Sequence, residues 1–331
     1  MARERTIVRR FVPERPYSLS LTAERYTRFP ERVDRFDGRV YRRYLPVGRR
    51  GALLSVVQVG SPARAVLEVS LAGSDADSPR ADEAARRIVE RSLGAAHPVR
   101  GFYRAFAGDG VLGDAIRDFP GLRAAGVPSL WEALVTAILA QQVNLLFAYD
   151  IRRELVEAFG RRARFDGETW FAFPRPEAFG GETRRRMRRF RLSDAKARAI
   201  LGLAEACSAG ELDEEALARL DDEAAIERLT TLRGIGRWTA EIGLLRGLGR
   251  PDIFPAGDLG VVKYLAQGLL GRREKAKEDS MRRYAERWRP WRSLALVYGY
   301  AELSRRRAER PAGSPPRPCP SSPGIRSSRE G

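Results

Sequence analysis

In the first part of the chain, short apolar or alternating runs at 39–47, 52–59 and 63–71 are separated by Gly, Pro and Ser. That is the signature of half-buried strands closed by turns. A helical stretch at 21–28 precedes them, so this part reads as an α+β unit. Residues 73–82 (GSDADSPRAD) form a polar break, and beyond it the spacing of apolar residues becomes helical. An amphipathic helix is expected over 82–93. The next, 129–141 (SLWEALVTAILAQ), is apolar on nearly every face and has Ser129 placed to cap it, which predicts a central buried helix. After a break near Gln142 the helical pattern resumes over 144–159. Helices at 193–208, 213–220 and 222–232 each open on a Ser or Asp cap, and those at 237–248, 258–269 and 292–307 complete an all-helical body. Residues 311–331 are rich in Pro and Ser and are expected to be a disordered tail. The expected fold class is therefore mainly α, with an N-terminal α+β domain at 1–78 and a helical body at 79–310.

Composition narrows the chemistry. With 43% hydrophobic residues the 331-residue chain can bury a core, so it is no extended basic arm. Cys207 and Cys319 are the only cysteines and His97 the only histidine. Two cysteines cannot hold a four-cysteine zinc site or iron–sulfur cluster, and one histidine removes most zinc hydrolases. No long apolar span and no secretory signal is evident, so no membrane partner and a cytoplasmic location are expected. The net charge of +17 points to a polyanion, with nucleic acid the commonest. Lysine occurs only at 196, 263, 275 and 277, however, so the arginine excess also has a purely compositional explanation. The run Arg184–Arg191 (RRRMRRFR) reads more readily as a solvated face than as a phosphate stripe.

The stretch 229–263, LTTLRGIGRWTAEIGLLRGLGRPDIFPAGDLGVVK, is the most informative. Gly234 and Gly236 sit at a tight turn that opens a second helix, where backbone can approach an anion and the positive helix end favours it. Ile235 between them is expected to point inward and lock the two helices. A plain helical hairpin accounts for the glycines equally well. A Gly/Pro-rich connection then leads to Asp258 at the start of the next helix. Capping alone explains an aspartate there; the chemical reading is an ionised carboxylate facing a sugar, able to stabilise an oxocarbenium-like centre.

With LRGIGRWTAEI and FPAGDLGVVK in this order, ILAQQVN in the central helix and AERWRPWRSLALVYGYAEL near the C-terminus, the chain resembles the helix–hairpin–helix DNA glycosylase superfamily, specifically its 3-methyladenine DNA glycosylase II branch. The resemblance extends to about Arg307 and includes the extra N-terminal domain, with the hairpin at about 222–248. It implies that Asp258 is the catalytic aspartate, that Gly234 and Gly236, with Arg237 beside them, hold a DNA phosphate, and that Gln142 is the wedge entering the duplex gap, flanked by Gln141 and Asn144. Trp238 stands where strand-cutting relatives have a Schiff-base lysine, which implies a monofunctional enzyme. Trp238 and Tyr300 match aromatic positions of the base pocket, although each alone also suits a core residue. Ile242, Leu259 and Arg25 depart from aromatic residues of the best-known bacterial member, leaving the range of accepted bases open.

The resemblance thus implies a DNA glycosylase acting in base excision repair, hydrolysing the N-glycosidic bond of alkylated purines flipped from duplex DNA. No cofactor is expected beyond a monovalent cation at the hairpin, and the protein is expected to be a monomer without an iron–sulfur cluster, nucleoid-associated when bound. Removal of oxidised or deaminated bases, and structure-specific DNA binding without catalysis, are the alternatives. Glu132 is expected to pair with an arginine, and His97 is given no role.

Overall fold

The computed structural model describes residues 6–29, 32–180, 186–268, 271 and 274–309. The tail expected at 311–331, with Cys319, lies outside them. Strands β1 (Thr6–Phe11), β2 (Asp34–Phe36), β3 (Val40–Leu45), β4 (Ala52–Val59) and β5 (Val66–Ala72) form one antiparallel sheet in the order β1-β5-β4-β3-β2. The three expected strands are its centre. The two edges escaped the pattern because TIVRRF is largely exposed and DRF is very short. Along β5 the side chains alternate, with Leu67, Val69 and Leu71 turned into the core. Against them pack α1 (Leu19–Ala23), capped by Ser18, and α2 (Pro79–Arg87), capped by Ser78. Ala81, Ala85, Ile88, Val89 and Leu93 all belong to the sheet's core. The apolar core of the first unit therefore continues past residue 78 to Ala95, since α2 turns its buried face to the sheet and not to the helical body.

The body contains α3 (Arg100–Phe106), α4 (Leu112–Asp118), α5 (Leu130–Ala140), α6 (Leu145–Phe159), α7 (Asp194–Ser208), α8 (Glu214–Arg219), α9 (Asp222–Thr230), α10 (Arg237–Gly247), α11 (Ala266–Gly268), α12 (Glu278–Ala285) and α13 (Arg292–Ala308). The fold is mainly α with an N-terminal α+β part, as the pattern indicated. One element corrects the expectation of an all-helical body: β6 (Arg162–Phe165) and β7 (Glu168–Phe171) form a hairpin. Its turn is Asp166-Gly167, both with positive φ (48° and 81°), the residue pair that such tight turns demand. Phe165 and Trp170 cover the second face of the sheet against Tyr44 and Leu53.

α5 is the axis of the body. Its apolar faces are buried against α10, where Gly243 and Gly247 let the two helices touch: a Cβ on Gly243 would lie 2.5 Å from Leu134 Cδ2, and one on Gly247 2.7 Å from Leu130 Cα. The charge buried in α5 is Glu132, which accepts from Arg43 of β3 (2.5 Å) and Arg152 of α6 (2.6 Å), while Arg43 also holds buried Asp34 (2.9 Å). The expected arginine partner is thus two arginines, and together these side chains tie the sheet to the body.

His97 has a structural place. It is half-buried, and a Cβ on Gly249 would lie 2.7 Å from its Nε2. Burial, with Arg123 nearby, lowers its pKa to about 4, partly opposed by a backbone hydrogen bond with Gly249. The unfolded imidazole takes up a proton near 6.5 and the folded one only near 4. Between those values acid favours unfolding, so stability rises with pH across the window. We expect about 2 kcal/mol of stability to disappear between pH 6.5 and 4 on this account. Denaturant titrations at several pH values should show a shallower slope in His97→Gln.

Candidate active site

The site is assembled by the end of α5, the start of α10, the middle of α13 and the loop before Asp258. α9 is capped by Asp221, whose Oδ1 accepts from Ala224 N (2.8 Å), and a tight turn carries the chain into α10. Gly234 in that turn has φ +85°, and a Cβ there would lie 2.4 Å from Ala199 Cβ, so both conformation and space require glycine. Ile235 is buried as expected. α10 starts at Gly236 with no side-chain cap, whereas α5, α6, α7, α8 and α9 are each capped by a Ser, Asn or Asp side chain. The first-turn amides of α10 are left to an outside acceptor.

Trp238, Asp258 and Tyr300 come together although they are distant in sequence. Trp238 Nε1 donates to Asp258 Oδ2 (2.9 Å), Tyr300 OH to Oδ1 (3.2 Å), and Gly260 N also to Oδ1 (2.8 Å). Three donors fix the half-buried carboxylate, and its oxygens retain further acceptor capacity. Burial, with the Asp258 charge beside it, pushes the Tyr300 hydroxyl well above its ordinary range, so it acts as a neutral donor. Gly260 makes this contact possible, because a Cβ would lie 2.4 Å from Tyr300 OH. The helix expected at 258–269 is instead wound in wide turns over Gly260–Leu265 before α11. The loop beneath is held by Asp252, which accepts from Arg292 Nε (2.8 Å) and Nη2 (3.0 Å), and by Phe254 packed edge-on against Trp288 at 5.8 Å. That gives Trp288 and Arg292 structural roles.

Residues 135–290 match the family model described as "HhH-GPD superfamily base excision DNA repair protein". The chain is 34% identical over 197 residues to a DNA-3-methyladenine glycosylase of Bacillus subtilis, covering 60% of this chain and 65% of that protein. It is 33% identical over 190 residues to DNA-3-methyladenine glycosylase 2 of Escherichia coli, covering 57% of this chain and 64% of that one. The match thus spans a little under two thirds of each relative. Over residues 135–290 the chain is therefore similar to the HhH-GPD superfamily. A solved 3-methyladenine DNA-glycosylase from Archaeoglobus fulgidus superposes on this chain with a TM-score of 0.74 at 28% identity, over 89% of this chain and 98% of that one.

The remaining predicted residues divide by what holds them. Gln142 is exposed with φ +54°, directly after α5, so the turn projects its side chain outward. Gln141 is spent inside the fold: its Nε2 donates to Gly234 O (3.0 Å) and Thr239 Oγ1 (2.9 Å), clamping the end of α5 to the hairpin. Asn144 caps α6 through Phe147 N (2.8 Å). Arg237 is held by Glu223 (2.7 and 2.8 Å) and Glu241 (3.1 Å), so its charge closes the hairpin. Within the arginine run, Arg186 lies over the Phe159 ring (4.5 Å) and Arg191 pairs with Asp150 (3.1 Å) and Glu154 (2.5 Å), while residues 184 and 185 lie outside the described ones. Sequence reasoning missed Leu145 and Leu146, three and four residues past Gln142, which are 51% and 62% exposed. Their apolar character reads as core in a helical pattern, and only the fold reveals that they face outward.

A non-glycine residue at positive φ carries strain of ~1 kcal/mol. Gln142→Gly should therefore keep or slightly raise the melting temperature while removing the projecting side chain. Base release at low DNA concentration is expected to fall about tenfold, a loss of ~1.4 kcal/mol; an unchanged release rate would remove Gln142 from the DNA-facing set.

Proposed function

We propose that the protein is a monofunctional DNA glycosylase that hydrolyses the N-glycosidic bond of alkylated purines in duplex DNA, the first step of base excision repair. The observation that carries this reading is the Asp258 carboxylate, oriented by Trp238 and Tyr300 beside a hairpin whose uncapped amides suit a phosphate. Names of the relatives supply the alkylated-base class.

In this mechanism the damaged nucleotide leaves the stack and its base lies against Trp238 and Tyr300. Gln142 stands in the vacated gap. An alkylated purine carries positive charge, so it departs with the glycosidic electron pair as a neutral molecule and needs no strong general acid. Asp258 stabilises the positive sugar left behind. Water then adds to C1′ of the sugar and its released proton passes to the carboxylate or solvent. Tryptophan at 238 has no amine to form a Schiff base, so the strand stays intact at an abasic site. Phosphates bind at the amides of Gly234, Gly236 and the first turn of α10. A monovalent cation there would be held by turn carbonyls, of which Gly234 O already accepts from Gln141, and no step depends on it. We take the protein to act on double-stranded DNA as a monomer.

Duplex DNA treated with a methylating agent provides the test. Free methylated purines should appear, strands should break only after alkali, and borohydride should trap no protein–DNA adduct. Absence of released base sinks the glycosylase reading, and a trapped adduct sinks the monofunctional one. Because phosphate contacts release counterions, binding should weaken steeply as salt is raised.

A further inference from the structure

On α10 the half-buried positions Trp238, Ile242 and Arg246 recur every four residues and so form one stripe. Trp238 begins it at Asp258. Arg246 ends it, about two helical turns from Trp238. From the N-terminal unit comes Arg25, which follows α1. Arg25 Nη1 donates to Ala125 O (2.7 Å), Arg246 Nη1 donates to the same carbonyl, and Arg25 Nη2 reaches Tyr149 OH (3.4 Å). Tyr149 is in turn stacked on Phe29, with centroids 4.4 Å apart. Two guanidiniums on one carbonyl oxygen thus stand at the end of the stripe remote from Asp258.

Among the described residues neither arginine has a carboxylate within salt-bridge distance. The fold treats its other buried arginines differently: Arg43 and Arg152 meet Glu132, and Arg292 meets Asp252. Arg123 lacks a carboxylate too, but four backbone carbonyls take up its guanidinium. Arg246 donates to one. Burial and the neighbouring Arg25 lower its pKa to about 9, and its field reaches the Tyr300 hydroxyl that donates to Asp258. The pair is therefore short of acceptors and lies in electrostatic range of the reacting end.

We infer that Arg246, supported by Arg25, determines specificity in this pocket by selecting purines that carry a keto oxygen on the edge remote from the sugar over purines that carry an amino group there. A keto oxygen supplies the acceptor these two cations lack, whereas an amino group turns further N–H donors toward them. The inference rests on the glycosylase reading above. It separates guanine-derived from adenine-derived lesions, which the aromatic wall alone does not, since every base has a π-face.

The test uses the full chain and a single sample of methylated duplex DNA, from which release of 7-methylguanine and 3-methyladenine is followed together by chromatography. In Arg246→Met the ratio of 7-methylguanine to 3-methyladenine release should drop at least tenfold relative to wild type, and Arg25→Met should lower it in the same direction by less. Both bases are released by the same molecules, so partial unfolding of a variant cancels from the ratio. A ratio unchanged in Arg246→Met, or raised, overturns the inference. Should the wild-type protein release neither base, the glycosylase reading itself fails, which is a distinct result.

Discussion

Asp258→Asn should reduce base release from methylated duplex DNA on the order of 10³-fold while leaving DNA binding and the melting temperature close to wild type. The size follows from removing one preorganised electrostatic group aimed at developing charge, which costs about 3–4 kcal/mol of barrier. The small structural effect follows from the hydrogen bonds. Asn retains an oxygen that can accept from Gly260 N and Tyr300 OH, as Asp258 Oδ1 does at 2.8 and 3.2 Å. It loses the partner of Trp238 Nε1, because its amide nitrogen only donates. Single-turnover release and a binding titration on the same DNA separate the outcomes. Release at the wild-type rate removes Asp258 from the chemistry, and joint loss of release, binding and melting temperature makes it a structural cap.

The parts of this site that were legible in the sequence are those set by short-range chemistry. Gly234 declares itself by a turn that needs positive φ, Ser129 by the helix it caps, and Asp258 by its position after a Gly/Pro-rich loop, whereas Asn144, placed beside the wedge from the sequence, is a cap in the fold. Trp238 and Tyr300 acquired their meaning only through a resemblance covering most of the chain, because an aromatic residue at helical spacing is as readily core as pocket. Arg237 illustrates the opposite failure. A basic residue beside a phosphate-binding turn invites a DNA role, but Glu223 lies 14 positions away in sequence and occupies it. The convergence of Arg25 and Arg246 on Ala125 depends on tertiary packing that no local pattern encodes. The β6–β7 hairpin was a missed local signal, since Asp166-Gly167 between short β-prone runs marks a tight turn. The wide winding over Gly260–Leu265 had no local signal; it accompanies the close approach of Tyr300 to Gly260.

Glu132→Ala is expected to destabilise the protein by about 3–5 kcal/mol, the usual cost of stripping one partner from a buried ionic cluster. The carboxylate is 1% exposed and lies between Arg43 and Arg152, which are themselves buried. Its removal leaves Arg43 with Asp34 and leaves the positive charge of Arg152 without this counterion. Glu132→Gln preserves shape and one acceptor oxygen and should fall between the two, so denaturant unfolding of the three proteins should rank wild type, Gln, then Ala. The consequence for function follows from where the cluster lies. β3, α5 and α6 meet at Glu132, the Gln142 turn joins α5 to α6, and Arg25 reaches the pocket wall from the sheet side. Loosening the cluster should therefore increase amide exchange in β2 and β3 before the α10 core opens. It should also lower base release beyond the fraction unfolded, because the Gln142 turn and Arg25 are positioned by the contact that has been lost. If the Ala variant unfolds at wild-type denaturant concentrations, or if its exchange rises uniformly through α10, the cluster is not what couples the sheet to the site.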